Sequence, residues 1–129
     1  DPEKSGALED RINSSVAHGR ARAVPSLEEG LDGVVDGIVN TSPVGMASMP
    51  GTPVPADAIL PAMWVADIVY FPLETELLRI AREKGCRVLP GSGMAVFQAV
   101  RAFEHFTGLV PDSDRMEAAF NRFDSTDRN

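Results

Sequence analysis

The sequence predicts an α/β fold built on a mostly parallel sheet. Two observations carry that prediction. Helix-like and strand-like segments alternate along the chain, and the strand candidates are short and apolar, with residues 64–70 apolar enough to be buried on both faces.

Taken in order, Asp1-Pro2-Glu3 reads as a helix start, with Asp as cap, Pro in the first turn and Glu complementing the dipole. Ala7, Leu8, Ile12 and Val16 follow at helical spacing until Gly19. Ser26 to Glu29 has the pattern of a short helix closed by a capping box. Residues 34–39 are β-branched and bounded by Gly33 and Asn40, which predicts a strand. Residues 41–55 hold Pro43, Gly45, Pro50, Gly51, Pro53 and Pro55, so neither helix nor strand continues there and a loop is expected. Residues 64–70 form the next strand, and Thr75 to Lys84 a helix with Leu77, Leu78, Ile80 and Ala81 on one face, closed by Gly85. Residues 86–89 are a third strand candidate. Residues 92–107 make a long amphipathic helix ending at Gly108, and residues 112–123 a last one with Met116, Ala119, Phe120 and Phe123 on one side. The tail after Phe123 is polar.

Strands separated by helices imply right-handed crossovers, and so the latter part of a doubly wound, Rossmann-like domain with C-terminal helices. Such sheets bind ligands beyond the C-terminal ends of their strands. Asn40, Tyr70 and Gly91 all stand just past such ends, which puts three loops on one rim.

Composition narrows the function. The net charge is −7 and the twelve Lys and Arg are scattered, so no basic face exists for nucleic acid. No apolar run approaches the ~20 residues that span a bilayer, so no membrane role is expected. Cys86 is the single cysteine, which excludes a disulfide framework and a cysteine metal site and marks a buried structural thiol. His18 and His105 lack ligand spacing and read as surface residues. With no secretory signal the expected compartment is the cytoplasm. The chain opens on Asp rather than Met and begins at once with a helix, so it reads as a piece of a longer chain, truncated at its N-terminus.

Three segments can carry chemistry. Asn40-Thr-Ser-Pro-Val-Gly-Met46 presents backbone amides and short hydroxyls at a strand end, with Gly45 permitting close approach, although a plain turn has the same pattern. Asp67 inside an apolar strand must be paired or hydrogen-bonded, and Tyr70 offers a ring and a hydroxyl to the rim or simply packs. Gly91 and Gly93 bracket a helix N-terminus whose free amides can meet a ligand. Two turns later Gln98 has both donor and acceptor, suited to hydroxyls, but equally serves as a surface residue. Phe103 and Phe106 read as core, as do the methionines other than Met46.

These three segments, in this order and spacing, resemble the C-terminal half of the shikimate dehydrogenase family, most closely its quinate/shikimate branch. The family's Asn-Ala-Thr-Pro-x-Gly-Met segment is matched at 40–46 with Thr41 in the Ala position and Ser42 in the Thr position. Pro72 and Thr75 match its Pro-x-x-Thr turn, and Thr75-Glu76-Leu77-Leu78 is similar to the quinate/shikimate variant. Phe103, Phe106, Thr107 and Gly108 continue its helix ending.

The resemblance implies an NAD(P)-dependent oxidoreductase of aromatic amino acid biosynthesis. It passes hydride reversibly between nicotinamide and a ring hydroxyl of shikimate or quinate. Asn40, Ser42, Pro43, Met46, Ile68 and Gly91 would contact the cofactor, and Tyr70 and Gln98 the cyclitol carboxylate. Lys4 takes the place of an Arg beside the adenosine ribose. An ammonium grips phosphate less well than a guanidinium, and Asp1 and Glu3 would repel a 2′-phosphate, so NAD is favoured with NADP as the other option.

The family's glycine-rich pyrophosphate loop is absent, and so is the N-terminal substrate domain with its catalytic Lys and Asp. No catalytic residue is therefore expected in residues 1–129, and the chain alone should not turn over. A non-catalytic ligand-sensing module of a quinate-utilisation regulator is the alternative. An oxidoreductase of the same fold acting on another small polyol or amino acid is a third reading. The oligomeric state stays open, with a homodimer among the options.

Overall fold

The protein is described here by a computed structural model covering residues 2–18, 20–31, 33 and 35–126, with residues 123–126 described by their backbone. It divides into two compact units, residues 1–34 and 35–129.

The first unit holds α1 (Pro2–Ser15) and α2 (Leu27–Leu31). Asn13 ties the end of α1 to the following segment. Its Nδ2 donates to the Ala21 carbonyl at 3.0 Å, and its Oδ1 accepts from the Ala21 N–H at 2.7 Å. Ser26 Oγ caps α2 by accepting from the Glu29 N–H. The Glu28 carboxyl is held below the usual range, first by a backbone N–H and then by the Ser26 hydroxyl. The apolar stripe of α1 is not buried: Leu8 and Val16 are exposed. The expected cap at Asp1 and stop at Gly19 lie outside the described residues.

The second unit is built on three strands, β1 (Gly37–Asn40), β2 (Trp64–Asp67) and β3 (Arg87–Leu89), all parallel and in the order β1-β2-β3. Val34, where the first strand was expected to begin, lies outside the described residues. The register aligns Ile38, Val65 and Val88 across the sheet. On that side α3 (Glu76–Glu83) packs Leu77, Leu78 and Ala81, all fully buried or nearly so. Thr75 caps α3 as expected, its Oγ1 accepting from the Leu78 N–H, and Gly85 follows the helix with a positive φ. The exposed side of α3 is tied by Arg79, which pairs with Glu76 and Glu83 one turn to either side.

The connection 41–63, whose prolines predict a loop over 41–55, packs against the core. Val54, Ile59 and Met63 plug into the same core beside a 3-10 turn at Ala56–Ala58, and Lys84 Nζ donates to the Ala56 and Ile59 carbonyls. This stretch therefore gives core side chains to the α3 side of the sheet although it forms no α-helix. Cys86 is buried and free, its thiol donating to the Leu60 carbonyl.

Four expectations are corrected. The second strand ends at Asp67 rather than Tyr70, because the Asp67 carboxylate takes the Val69 N–H from the ladder. The sheet is not covered on both faces: Val39 and Leu89, in register with Ala66 on the face away from α3, are 49% and 68% exposed. Phe103 and Phe106 are not core, since the core gathers around β2 and α3 and helix α4 (Ser92–Thr107) buries no side chain in it. Among the methionines, Met63 alone belongs to the buried core of the described residues.

The last element, α5 (Ser113–Thr126), packs along α4. Val96 and Ala99 of α4 face Met116, Ala119 and Phe120 of α5 across an apolar seam. Phe123, expected on this face, lies outside the described side chains.

Candidate functional site

The two loops that leave the C-terminal ends of β1 and β2 enclose a cavity of about 390 Å³. Thr41, Ser42, Pro43 and Met46 line it from the first loop, and Ile68, Val69, Tyr70 and Phe71 from the second. Parallel strands end with their loops on one side, so register places this cavity: Asn40 and Asp67 are the last register pair, and the chains part after the bond from the Ile68 N–H to the Asn40 carbonyl.

The first loop is held by its own backbone. Gly45 N–H donates to the Met49 carbonyl at 2.8 Å, Met46 N–H to Pro43, and Met49 N–H to Met46. Gly45 has φ +107° and is buried with Thr75 at its back, so a side chain is disfavoured by conformation rather than by space. Asn40 lies beneath the rim, 3% exposed. Its Nδ2 donates to the Val44 carbonyl and to Asp67 Oδ1, both at 2.9 Å, and its Oδ1 accepts from Ser42 N–H at 3.0 Å and Ser42 Oγ at 2.7 Å. An amide has two donors and two good acceptor positions, so the Asn40 side chain is fully engaged within the protein.

The second loop carries the exposed groups. Ile68 and Tyr70 are about two-fifths exposed, while Val69 between them is buried. The Phe71–Pro72 peptide is cis. Tyr70 and Phe71 meet edge-on at 5.5 Å, and Phe120 of α5 stands 6.3 Å and 5.3 Å from them, so α5 braces this wall.

Gly91, the N-cap of α4, is buried against the Ile68–Val69 backbone, and Gly93 stands in open space. Five of the expected site residues, Ser42, Pro43, Met46, Ile68 and Tyr70, thus surround one cavity, with Gly91 in contact with its second wall. Gln98 is exposed on α4 and is not among the lining residues. Lys4 lies on α1, in the other unit. Sequence reasoning missed Thr41, Val69 and Phe71 as lining residues. Their adjacency to Ser42, Ile68 and Tyr70 was the available signal. Among the described residues no cluster of His, Cys, Asp or Glu could hold a metal, and no helix is long and apolar enough to cross a membrane.

The lining suits a flat, partly polar ring. Met46, Ile68, Val69 and Tyr70 give apolar walls, and the backbone of 41–43 gives polar groups at one end.

Comparison with known proteins agrees with this geometry. Residues 91–119 match the family model described as the Shikimate 5'-dehydrogenase C-terminal domain. A shikimate dehydrogenase (NADP(+)) of Streptomyces avermitilis is 53% identical over 118 residues, spanning 91% of this chain and 40% of that protein. A quinate/shikimate dehydrogenase (NAD(+)) of Corynebacterium efficiens is 45% identical over 122 residues, spanning 93% of this chain and 43% of its own. The solved quinate dehydrogenase of Corynebacterium glutamicum in complex with NAD superimposes with a TM-score of 0.82 at 42% identity, over 95% of this chain and 44% of that one. The chain spans about 40% of the length of the curated relatives it matches. Sequence motifs, parallel topology and relatives agree that this chain belongs to the shikimate dehydrogenase family.

Proposed function

We propose that the chain forms part of the dinucleotide-binding domain of an NAD(P)-dependent dehydrogenase acting on shikimate or quinate. One observation supports this above the others: loop residues expected to meet nicotinamide line a single cavity at the strand ends of a parallel sheet.

When bound, a nicotinamide dinucleotide supplies the hydride acceptor for oxidation of a ring hydroxyl to a ketone. The chain's own part is to bind and orient. Met46, Ile68 and Val69 present apolar surface to the ring, and the absence of a side chain at Gly91 lets α4 start against the Ile68–Val69 backbone. Tyr70 and Gln98 would hold the cyclitol, Gln98 by hydrogen bonds that do not change with pH. Lys4 would lie by the adenosine ribose. Asn40 acts from beneath, by holding Ser42 and Val44. The pyrophosphate loop and the Lys–Asp pair that moves the hydroxyl proton would come from residues outside this chain.

Relatives of this chain include both an NADP and an NAD enzyme by name, so the preferred dinucleotide is left to experiment. The sensor reading draws no support from these relatives, which are named as enzymes. The test is a steady-state assay of the full-length protein that contains this chain with shikimate and quinate, each against NAD and NADP. Turnover of either cyclitol supports the reading. Saturable dinucleotide binding without turnover of either would remove the substrate assignment.

A further inference from the structure

A carboxylate buried in a strand costs several kcal/mol unless it is fully hydrogen-bonded. Asp67 is 3% exposed and is satisfied on both oxygens. Its Oδ1 accepts from Asn40 Nδ2 at 2.9 Å and from the Val69 N–H at 3.0 Å. Its Oδ2 accepts from Thr75 Oγ1 at 2.7 Å. Thr75 Oγ1 accepts in turn from the Leu78 N–H, and Asn40 passes the chain of bonds on to Ser42 and Val44. No buried side-chain polar atom among the described residues lacks a partner.

The place of this network in the fold gives it meaning. Asn40 and Asp67 are the terminal register pair of β1 and β2, the point at which the ladder stops. Beyond it, one chain becomes the first wall of the cavity and the other the second. One backbone bond still joins the walls there, from the Ile68 N–H to the Asn40 carbonyl at 3.1 Å. The side-chain bond between Asn40 and Asp67 reinforces it, and Thr75 anchors that pair to the first turn of α3.

We propose that Asp67 is a positioning residue for the dehydrogenase reaction. Through Asn40 it sets residues 41–46, through the Val69 N–H it sets residues 68–71, and it touches neither cofactor nor substrate. The kinetic part of this inference rests on the proposed function; the structural part does not.

The test is reciprocal exchange of the two side chains. Asn40→Asp sets two carboxylates against each other and removes the donors to Val44 and Asp67. Adding Asp67→Asn restores one donor facing one acceptor. In Asn40→Asp, amide hydrogen exchange of both 41–46 and 68–71 should accelerate about tenfold or more, and the dinucleotide KM should rise by about the same factor. The cyclitol KM should rise by less than the dinucleotide KM, since Tyr70 lies in the loosened segment while Gln98 on α4 does not. The double variant should recover part of the 41–46 loss but not the 68–71 loss. The amide nitrogen that Asp67→Asn turns toward position 40 replaces the oxygen that accepts the Val69 N–H, and the bond to Val44 stays missing. Should Asn40→Asp not fold, Asn40→Ser carries no second charge and should show the same pattern at about threefold.

Wild-type exchange in both segments of Asn40→Asp would overturn the inference, whatever the turnover. So would a double variant whose 41–46 exchange is no slower than that of the single one, or a fall in kcat alone from a smaller active fraction. If wild-type protein oxidises neither cyclitol, the dehydrogenase reading fails on its own, and hydrogen exchange still decides the positioning role.

Discussion

A Cβ added to Gly91 would stand 2.7 Å from the carbonyl oxygens of both Ile68 and Val69. Gly91 has an ordinary helical φ of −69°, so the glycine is required by proximity and not by conformation. The atoms it would strike are backbone, which cannot turn aside. Gly91→Ala therefore forces α4 away from the second wall of the cavity. We expect a loss of about 1 to 3 kcal/mol in chemical denaturation and a raised dinucleotide KM. An unchanged midpoint and unchanged KM would show that α4 moves freely.

The Thr75 hydroxyl serves two partners: it accepts from the Leu78 N–H to cap α3 and donates to Asp67 Oδ2. Thr75→Ala removes both and leaves a buried carboxylate oxygen short of a donor. The expected cost is about 1 to 3 kcal/mol by urea unfolding. Thr75→Ser keeps the hydroxyl and should recover most of it.

Gln98 is exposed, so its replacement leaves the fold alone. Gln98→Ala should raise the cyclitol KM by up to about tenfold, the value of one or two neutral hydrogen bonds. The thermal midpoint should not move, and the dinucleotide KM should stay within about twofold. A loss in dinucleotide KM instead would reassign the residue.

Lys4→Arg offers the bidentate fork that an ammonium lacks. If Lys4 lies by the ribose, the ratio of kcat/KM for NADP to that for NAD should rise roughly fivefold. Equal ratios in the two proteins would remove Lys4 from the cofactor site.

Glu76 is held below its ordinary value of 4.5, first by the hydrogen bond from Arg79, with the charge of Arg79 assisting and a small desolvation opposing. A depressed folded-state pKa stabilises above the unfolded value and loses that contribution as pH falls through the folded one. Thermal midpoints measured from about pH 6 down to about pH 3 should therefore fall less steeply in Glu76→Gln than in wild type. Because the pair is on the surface, added salt should shrink the difference. Parallel curves would show the pair to be inert.

Much of the fold could be read from local pattern. Thr75 and Gly85 bounded α3 as expected because capping and left-handed termination depend on one or two residues. The alternation of elements implied a parallel sheet, and that implied a common rim for the loops after Asn40 and Tyr70. Where long-range contacts decide, the reading went astray. Val54, Ile59 and Met63 sit in a stretch whose prolines announce a loop, and their burial depends on what α3 and Lys84 bring to them. Phe106 has the look of a core residue on an amphipathic helix, yet it is 90% exposed because nothing in α4 enters the core around β2.

Local patterns in the chain set which elements form, which turns stop them, and which residue types stand at the strand ends. They also carry the resemblance, since Asn40 to Met46, Asp67 to Leu78 and Gly91 to Gln98 are contiguous motifs. What each polar residue in those motifs does follows from the way distant segments pack together. Asn40 and Asp67 are 27 residues apart, and register makes them partners. A hydrogen bond over that distance is set by strand pairing, not by neighbours in the chain. For this reason Asn40, which reads as a ligand contact at a strand end, proves to be fully occupied beneath the cavity it helps to shape.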